Sequence, residues 1–439
     1  MEDEMFGMIA AAASFALPAP PVTTEAVTTE AVMTPMRQSP STTSAHGFTV
    51  RHHASIAEID RAAWDHLFAG HAEDWGYFRA CELSNPAHFT LSAVAAYHGG
   101  RLVAAAPVFR IDYRLDTSLP QALRGLSTAI ERMAPRLVRM PVIGFGSPMT
   151  EECPIGLSPD LDHNERRAAI AALLDGIEAH AKATGVTIIA LKDVTEATRQ
   201  EAGAALAGRG YTRMASLPIA IVPLPAGGLP AYFASLSQKA RKSLRKKHVQ
   251  SQSSDSVTVT IADSLAGIEA EAMALYRQTR ANRGQSYEGF DEVPEDYFRQ
   301  VLAAARGTAK VFILRVGERL AGFSLVLVEK DRVIAKFIGM DYEIARQHNI
   351  YFVNWLAVVE YCYANGIATV QAGQTTYLPK SRLGAVLRRS SVYFKHRGLV
   401  LGALFRWIGP KLSFDAVDPD LKELGDKARY VDETAPARV

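Results

Sequence analysis

Three cysteines in 439 residues, Cys81, Cys153 and Cys362, are too few and too scattered for a disulfide framework, and none has metal-ligand spacing. They read as reduced thiols and predict a cytoplasmic protein. No apolar run reaches the roughly 18 to 20 residues that a membrane-spanning helix needs. The sequence has no Gly-x-Ser-x-Gly, no Walker loop, no EF-hand or zinc spacing and no cysteine beside a histidine. A covalent acyl-enzyme, a Walker-type NTPase and a structural metal therefore find no support, and no bound cofactor is expected. Excess charge is also lacking: 48 Lys and Arg against 46 Asp and Glu leave +2. A protein that coats DNA carries a broader positive balance, so DNA is not an expected partner.

What is present suffices for two ordinary domains. Residues 1–46 read as a disordered tail rich in Thr, Ala and Pro, with the tandem repeat "VTTEAVTTEAV". The apolar run near the start follows "MEDE", where a secretory signal wants positive charge. Met36 is an alternative start. From residue 47 the chain reads as alternating strands and helices. "FTLSAVAAYHGGRLVAAAPVFRI" is a hairpin about Gly99-Gly100, and "NERRAAIAALLDGIEAHAKATG" is a helix with Asn164 as N-cap and Gly185 as its stop. "VTIIALKDV" is a buried strand, and "YTRMASLPIAIVPLP" reads as one further strand. The second half repeats this order. "AKVFILRVGERLAGFSLVLV" is a hairpin, "YFVNWLAVVEYCYANG" a helix and "IATVQAG" a strand. The expected architecture is α/β: two copies of one unit, 47–228 and 229–415, each a mixed sheet with helices on both faces, then a tail at 416–439. "PLPAGGLP" at 223–230 marks the join.

Directly after the join, "LSQKARKSLRKKHVQ" (236–250) holds six Lys or Arg and a His, and no acid occurs from Ser235 to Ser254. On a helix, Leu236, Ala240 and Leu244 form a narrow apolar stripe, while Arg241 and Arg245 stack, with Lys239, Lys242 and Lys246 on another flank. Like charges at i, i+4 repel by a few tenths of a kcal/mol per pair. Solvated helices usually mix signs, so phosphate is the natural counter-charge.

This segment, "LPAYFASLSQKARKSLRKK", followed by a strand and an α/β unit, resembles the Fem-like branch of the GNAT acyltransferase superfamily. The branch includes peptidoglycan aminoacyltransferases and typically has tandem GNAT domains. The matching positions are Leu236, Ser237, Lys239, Arg241, Lys242 and Arg245. A second match runs from "MDYEIARQHNIYF" to "GQTTYLPKSRLG", with Asp341, Gly373, Tyr377 and Lys380 at the family's positions. The resemblance implies N-acyl transfer to an amine of a small molecule or cell-envelope precursor. The donor would be an acyl-CoA or, in the Fem-like case proper, an aminoacyl-tRNA, as co-substrate. It places Asp341, Tyr377 and Lys380 as catalytic candidates. Lys239, Arg241, Lys242, Arg245 and Lys246 would hold substrate phosphate, with Arg346, His348, Asn349, Tyr351 and Gln374 completing the binding set.

Each of these has a plainer reading as well: Lys380 as a loop lysine, Asp341 as a turn residue, His348 as a surface histidine rather than a base. Tyr287, Glu288 and Phe290 are candidates for an acceptor pocket. One departure from the family is visible. GNAT domains bind the CoA pyrophosphate on a glycine-rich turn opening the crossover helix, and here Arg346-Gln347-His348-Asn349-Ile350-Tyr351 puts a tyrosine where a small residue belongs. The corresponding stretch in the first half, "GFGSPMTEECPIGLSPDLDHNER", is long and acidic. A third reading follows, a non-catalytic nucleic-acid or membrane-surface binding protein on this fold. "LVLGALFRWIGP" (399–410), flanked by Arg397 and Lys411 and containing Arg406 and Trp407, is expected to dock on the core or to lie on a membrane surface.

Overall fold

The computed structural model describes residues 42–43, 47–114, 139–253, 257–282, 292–305, 307–409, 413–416 and 418–431. The first half contains strands β1 (Thr42–Thr43), β2 (Thr49–His53), β3 (Phe89–His98), β4 (Arg101–Arg114), β5 (Arg139–Phe145), β6 (Gly156–Leu157), β7 (Ile188–Thr195) and β8 (Thr212–Ala215). Its helices are α1 (Arg61–Leu67), α2 (Trp75–Leu83), α3 (His163–Ala183) and α4 (Glu196–Gly208). Then come β9 (Ile219–Pro223), α5 (Gly228–Ser235), α6 (Gln238–Ser253), β10 (Val257–Ala262), α7 (Glu269–Asn282) and α8 (Tyr297–Ala304). The chain continues through β11 (Ala309–Val316), β12 (Arg319–Val328), β13 (Arg332–Met340), α9 (Ile350–Ala364), β14 (Thr369–Gly373) and α10 (Tyr377–Arg382). It ends in β15 (Val386–Arg388), β16 (Ser390–His396), α11 (Leu399–Ile408) and α12 (Pro419–Leu424).

The two sheets have matching orders. One runs β1-β2-β3-β4-β5-β7-β16-β8, with β6 on β4, and the other β10-β11-β12-β13-β14-β9-β15. Each half has a hairpin, then a strand, a crossover helix and a parallel strand. These are β5–α3–β7, in register Val142 to Ile188, and β13–α9–β14, in register Arg332 to Thr369. The parallel crossover explains why β7 is buried on both faces.

The halves exchange strands. β16, from the second half of the chain, lies between β7 and β8 and is antiparallel to both. β9, from the first, lies between β14 and β15 in the same way. The boundary expected at 228/229 therefore does not divide the sheets, and "YTRMASLPIAIVPLP" is two strands in two sheets. The crossing is at Ser216-Leu217-Pro218, where proline removes a ladder donor and holds Leu217 extended. The Leu217 carbonyl accepts from Gln374 Nε2 (2.8 Å) and Ser390 Oγ (2.9 Å), and the Pro218 carbonyl from Tyr377 Oη (2.8 Å).

Smaller expectations shift too. The cap of α3 is Asp162, not Asn164; its carboxylate accepts from the Asn164 and Glu165 amides, and Glu165 bonds back to the Asp162 amide. The Gly-rich join gives way to a helix as early as Gly228. The segment expected as a C-terminal tail docks on the second half: Leu421 and Leu424 are buried, and Tyr430 bridges to Leu387. No described helix is long and apolar enough to cross a membrane.

Candidate active site

The helix expected from the basic segment is α6. Leu236 precedes the helix in extended backbone rather than starting its stripe, but it is buried with Leu244, and Ala240 packs beside them, so this side faces the second half's core. Lys239, Lys242, Arg245 and Lys246 are exposed and Arg241 is half-buried. The exposed cations extend over about 10 Å of helix. The C-terminal part of α6 reaches the start of α9, where the Lys247 ammonium sits 3.1 Å from the centre of the Phe352 ring. Burial, then the charge of Arg382, lowers the Lys247 pKa. The residues flanking α6 and α10 meet: Leu236, just before α6, would have its Cδ2 2.9 Å from a Cβ at Gly384, just after α10.

α10 leads into a gap in the second sheet. β13 and β14 pair only from Arg332–Thr369 to Ile334–Gln371; β13 then continues to Met340 while β14 bends away at Gly373. The first-half segment 146–154 fills the mouth of this splay. Glu151 Oε2 accepts from Gln371 Nε2 at 2.8 Å. Its Oε1 would stand 2.5 Å from a Cβ at residue 373, and Lys380 Nζ 3.7 Å from the same point. Gly373, at φ +82°, both makes the bend and leaves room for the carboxylate.

A network of half-buried charges holds this segment. Glu152 accepts from Arg332 (2.8 Å) and, in closer contact, from Arg388. Arg332 also donates to Glu329 at 2.7 Å. Lys336 donates to Glu73 and to the Met149 carbonyl, each at 2.6 Å. The Tyr77 hydroxyl donates to that carbonyl at 2.8 Å and meets Tyr297 Oη at 2.9 Å. Burial acts on both carboxylates, with different outcomes. It raises the Glu73 pKa although Lys336 opposes it, whereas for Glu152 the charges of Arg388 and Arg332 outweigh burial and lower it. The pairs Glu152–Arg332, Glu152–Arg388 and Glu73–Lys336 each join the two halves of the chain, so the network also fixes the splay's geometry.

The candidates from the sequence separate into three groups. Asp341 is buried, accepts from Arg319 Nε (2.6 Å) and the Glu343 amide (3.1 Å), and anchors the turn after β13. Tyr377 is 1% exposed and, with Gln374, spends its polar group on the strand crossing. The polar groups of Asp341 and Tyr377 are thus engaged in holding a turn and the strand crossing. Lys380 does reach the splay, donating to the Gln374 and Thr375 carbonyls at 2.8 Å each. It thereby clamps a turn in which Thr375 and Thr376 both have left-handed φ, of 60° and 51°.

The turn that opens α9 is the third group. Arg346 is exposed, and His348, Asn349 and Tyr351 are half-buried. Asn349 takes the left-handed conformation, at φ 53°, which asparagine tolerates better than most residues. The amides of His348, Asn349 and Ile350 donate to the Ile344, Arg346 and Ala345 carbonyls, and those of Phe352 and Val353 to Asn349. These groups are spent within the turn. At the start of α3 the Asp162 carboxylate occupies the anion position itself. Tyr287, Glu288 and Phe290 lie outside the described residues. The residues missed by sequence reasoning are Glu151, Glu152, Glu73, Arg332, Lys336, Gln371 and Arg388. Their available signal was the acidic pair in "SPMTEECP", which only the fold connects to its partners. Among the described residues no His, Cys, Asp and Glu cluster suits a metal ion.

Two units of this order, with a splayed parallel pair after the crossover helix, define a tandem acyltransferase fold. Residues 238–377 match the model of the acetyltransferase (GNAT) domain family. FemX shares the fold over 80% of this chain and 98% of its own, with 13% identity and a TM-score of 0.51. A tandem GNAT protein from the clavulanic acid biosynthesis pathway aligns over 80% of this chain and 99% of its own, with 14% identity and a TM-score of 0.46. No curated protein matches the sequence significantly.

Proposed function

We propose that this protein transfers an acyl group from acetyl-CoA or another acyl-CoA to an amine of a small molecule or cell-envelope precursor, with the β13–β14 splay as reaction site. The observation that carries the site is the Glu151 carboxylate held over Gly373 by Gln371. The amine nitrogen adds to the acyl carbon, the carrier's sulfur leaves, and Glu151 removes the amine proton. Lys380, also close to Gly373, helps to fix the loop that borders the acyl group. The exposed cations of α6, one short helix away, grip the donor's phosphates. The family match supports the acyl-CoA donor.

A second reading, an aminoacyl-tRNA donor, is favoured by a specific observation: the His348, Asn349, Ile350, Phe352 and Val353 amides around the start of α9 already have backbone partners, and the α3 start carries its own carboxylate. A pyrophosphate would find no ready cradle at either helix, and α6 offers a longer cationic track. In that case an oxygen of the tRNA terminus is the leaving atom.

Thermal unfolding of the full chain with acetyl-CoA, longer acyl-CoAs, free CoA and charged tRNA separates these readings. A ligand at 100 times its dissociation constant adds about 2.7 kcal/mol. A shift with a CoA supports the first donor. A shift with tRNA alone, fading steeply with salt, supports the second. Arg241→Gln/Arg245→Gln should weaken the shift while leaving the unliganded midpoint close to its original value. Stabilisation by none of these ligands overturns both donor assignments.

A further inference from the structure

α11 turns its apolar face the wrong way for a core helix. Leu399 is 90% exposed, Val400 74% and Trp407 47%, and with Ala403 they fall on one side of the helix. The inner side is modest: Gly402 is buried, and Phe405 packs edge-on against Phe394 at 6.0 Å and His396 at 5.7 Å. The helix is thus fastened by one side and presents leucine, valine and tryptophan to water with the other.

The ends of the same helix are cationic. Arg406, exposed near its C-terminus, lines a cleft of about 550 Å³ with Arg213. Arg397, exposed just before its N-terminus, lines a second cleft of about 350 Å³ with Lys182 and Lys395. The acid in the second cleft, Glu178, is paired with Lys395 at 3.0 Å. An outward apolar strip lies between two basic clefts.

We infer that this face of the protein docks on an anionic phospholipid surface, with Leu399, Val400 and Trp407 entering the acyl boundary and Arg397 and Arg406 meeting lipid phosphates. The charge pattern selects this occupant over a second copy of the chain. Two such faces pressed together would set Arg397 and Arg406 against their own counterparts, whereas anionic headgroups supply the missing sign. Tryptophan suits the boundary because its ring is large and apolar while its N–H is polar. The inference is independent of the donor chosen above, since α11 packs on β16 of the first sheet and not on the splay.

The test is co-sedimentation of the full-length protein with phosphatidylcholine vesicles, with and without phosphatidylglycerol, at low and physiological salt. Binding should require the anionic lipid and weaken with salt. Leu399→Ser/Val400→Ser should reduce the partition coefficient at least tenfold. Arg397→Gln and Arg406→Gln should each reduce it about fivefold. Leu399, Val400 and Arg406 are exposed, so the midpoints of those variants should stay at the parent value, which separates lost docking from lost folding; Arg397 Nη1 also donates to the Ala181 and Val186 carbonyls, so the Arg397→Gln result is read only beside its own melting curve. Bromolipid quenching of Trp407, absent in Trp407→Phe, should report insertion. Failure of the parent protein to bind anionic vesicles at low salt overturns the inference. So does binding unaffected by the Leu399 and Val400 changes, or a concentration-dependent dimer that those changes abolish.

Discussion

The two halves bend at the same place and use the bend differently. In the first, β7 pairs with β5 as far as Leu191 and reaches a left-handed residue two positions later, Asp193 at φ 55°. In the second, β14 pairs with β13 as far as Gln371, and the left-handed residue two positions later is Gly373 at φ 82°. Asp193 is buried and fills its own site: its carboxylate accepts from Ser216 Oγ at 2.5 Å and is in closer contact with Lys192. Glycine leaves the equivalent site empty of side chain, and Glu151 of the other half enters it. A duplicated bend is thus closed in one copy and shared in the other. The shared copy lies in the half that matches the acetyltransferase family.

The comparison fails most visibly if Glu151 is not the shared group. Glu151→Gln should lower acyl-transfer turnover by about 10²- to 10⁴-fold, as loss of a general base does, with little change in the unfolding midpoint. Steady-state turnover with the donor found by thermal shift, read beside a melting curve, checks this. Equal turnover in the variant would remove the carboxylate from the chemistry.

Arg332→Met leaves Glu152 and Glu329 with one cation fewer in a half-buried network, and should cost about 3 kcal/mol in urea unfolding. The corresponding loss from Lys192→Met would show whether the closed bend is held as firmly as the shared one.

A third difference is in pH response. Among the described residues the first half alone stacks two histidines, His52 on His180, with ring centres 3.5 Å apart. Burial first, then His180 and His53, lowers the His52 pKa to about 3; burial, then Arg110, lowers that of His180 to about 4. Both are neutral when folded and take up protons when unfolded below the usual histidine range near 6.5. Their contribution is intact above about pH 6.5 and declines as pH falls toward 4, by about 1.4 kcal/mol per pH unit for each histidine. Urea midpoints from pH 7 to pH 4.5 should fall accordingly, and His52→Phe should flatten the decline.

The smallest effect is expected at the bend itself. Gly373→Ala should destabilise by about 1 kcal/mol through its positive φ and displace Glu151. Turnover should then fall more than stability does.

Much of this was legible in the sequence, for local reasons. The hairpin turns, the glycine stops and the apolar stripe of α6 depend on residues a few positions apart, and periodicity reports them. The strand exchange was not legible. The apolar pattern through "ASLPIAIV" shows that both strands are buried but cannot say in which sheet, and Pro218 alone does not reveal a change of partner. The splay was hidden for the same reason. Glu152 meets Arg332 across 180 positions and Glu151 meets Gln371 across 220, so neither acid has a local signature. Tyr377 was found by family position, yet its burial and its bond to Pro218 give it a part in holding the crossing.

The exchanged strands also set an order of events during synthesis. β8 is complete at Ala215, but its strand partner is β16, which ends at His396. A chain emerging from the ribosome must hold the edge of its first sheet unpaired until most of the second half has been made. The two units are therefore not independent modules that can be separated at the join. Each is closed by a strand of the other, and the molecule completes both sheets late and together.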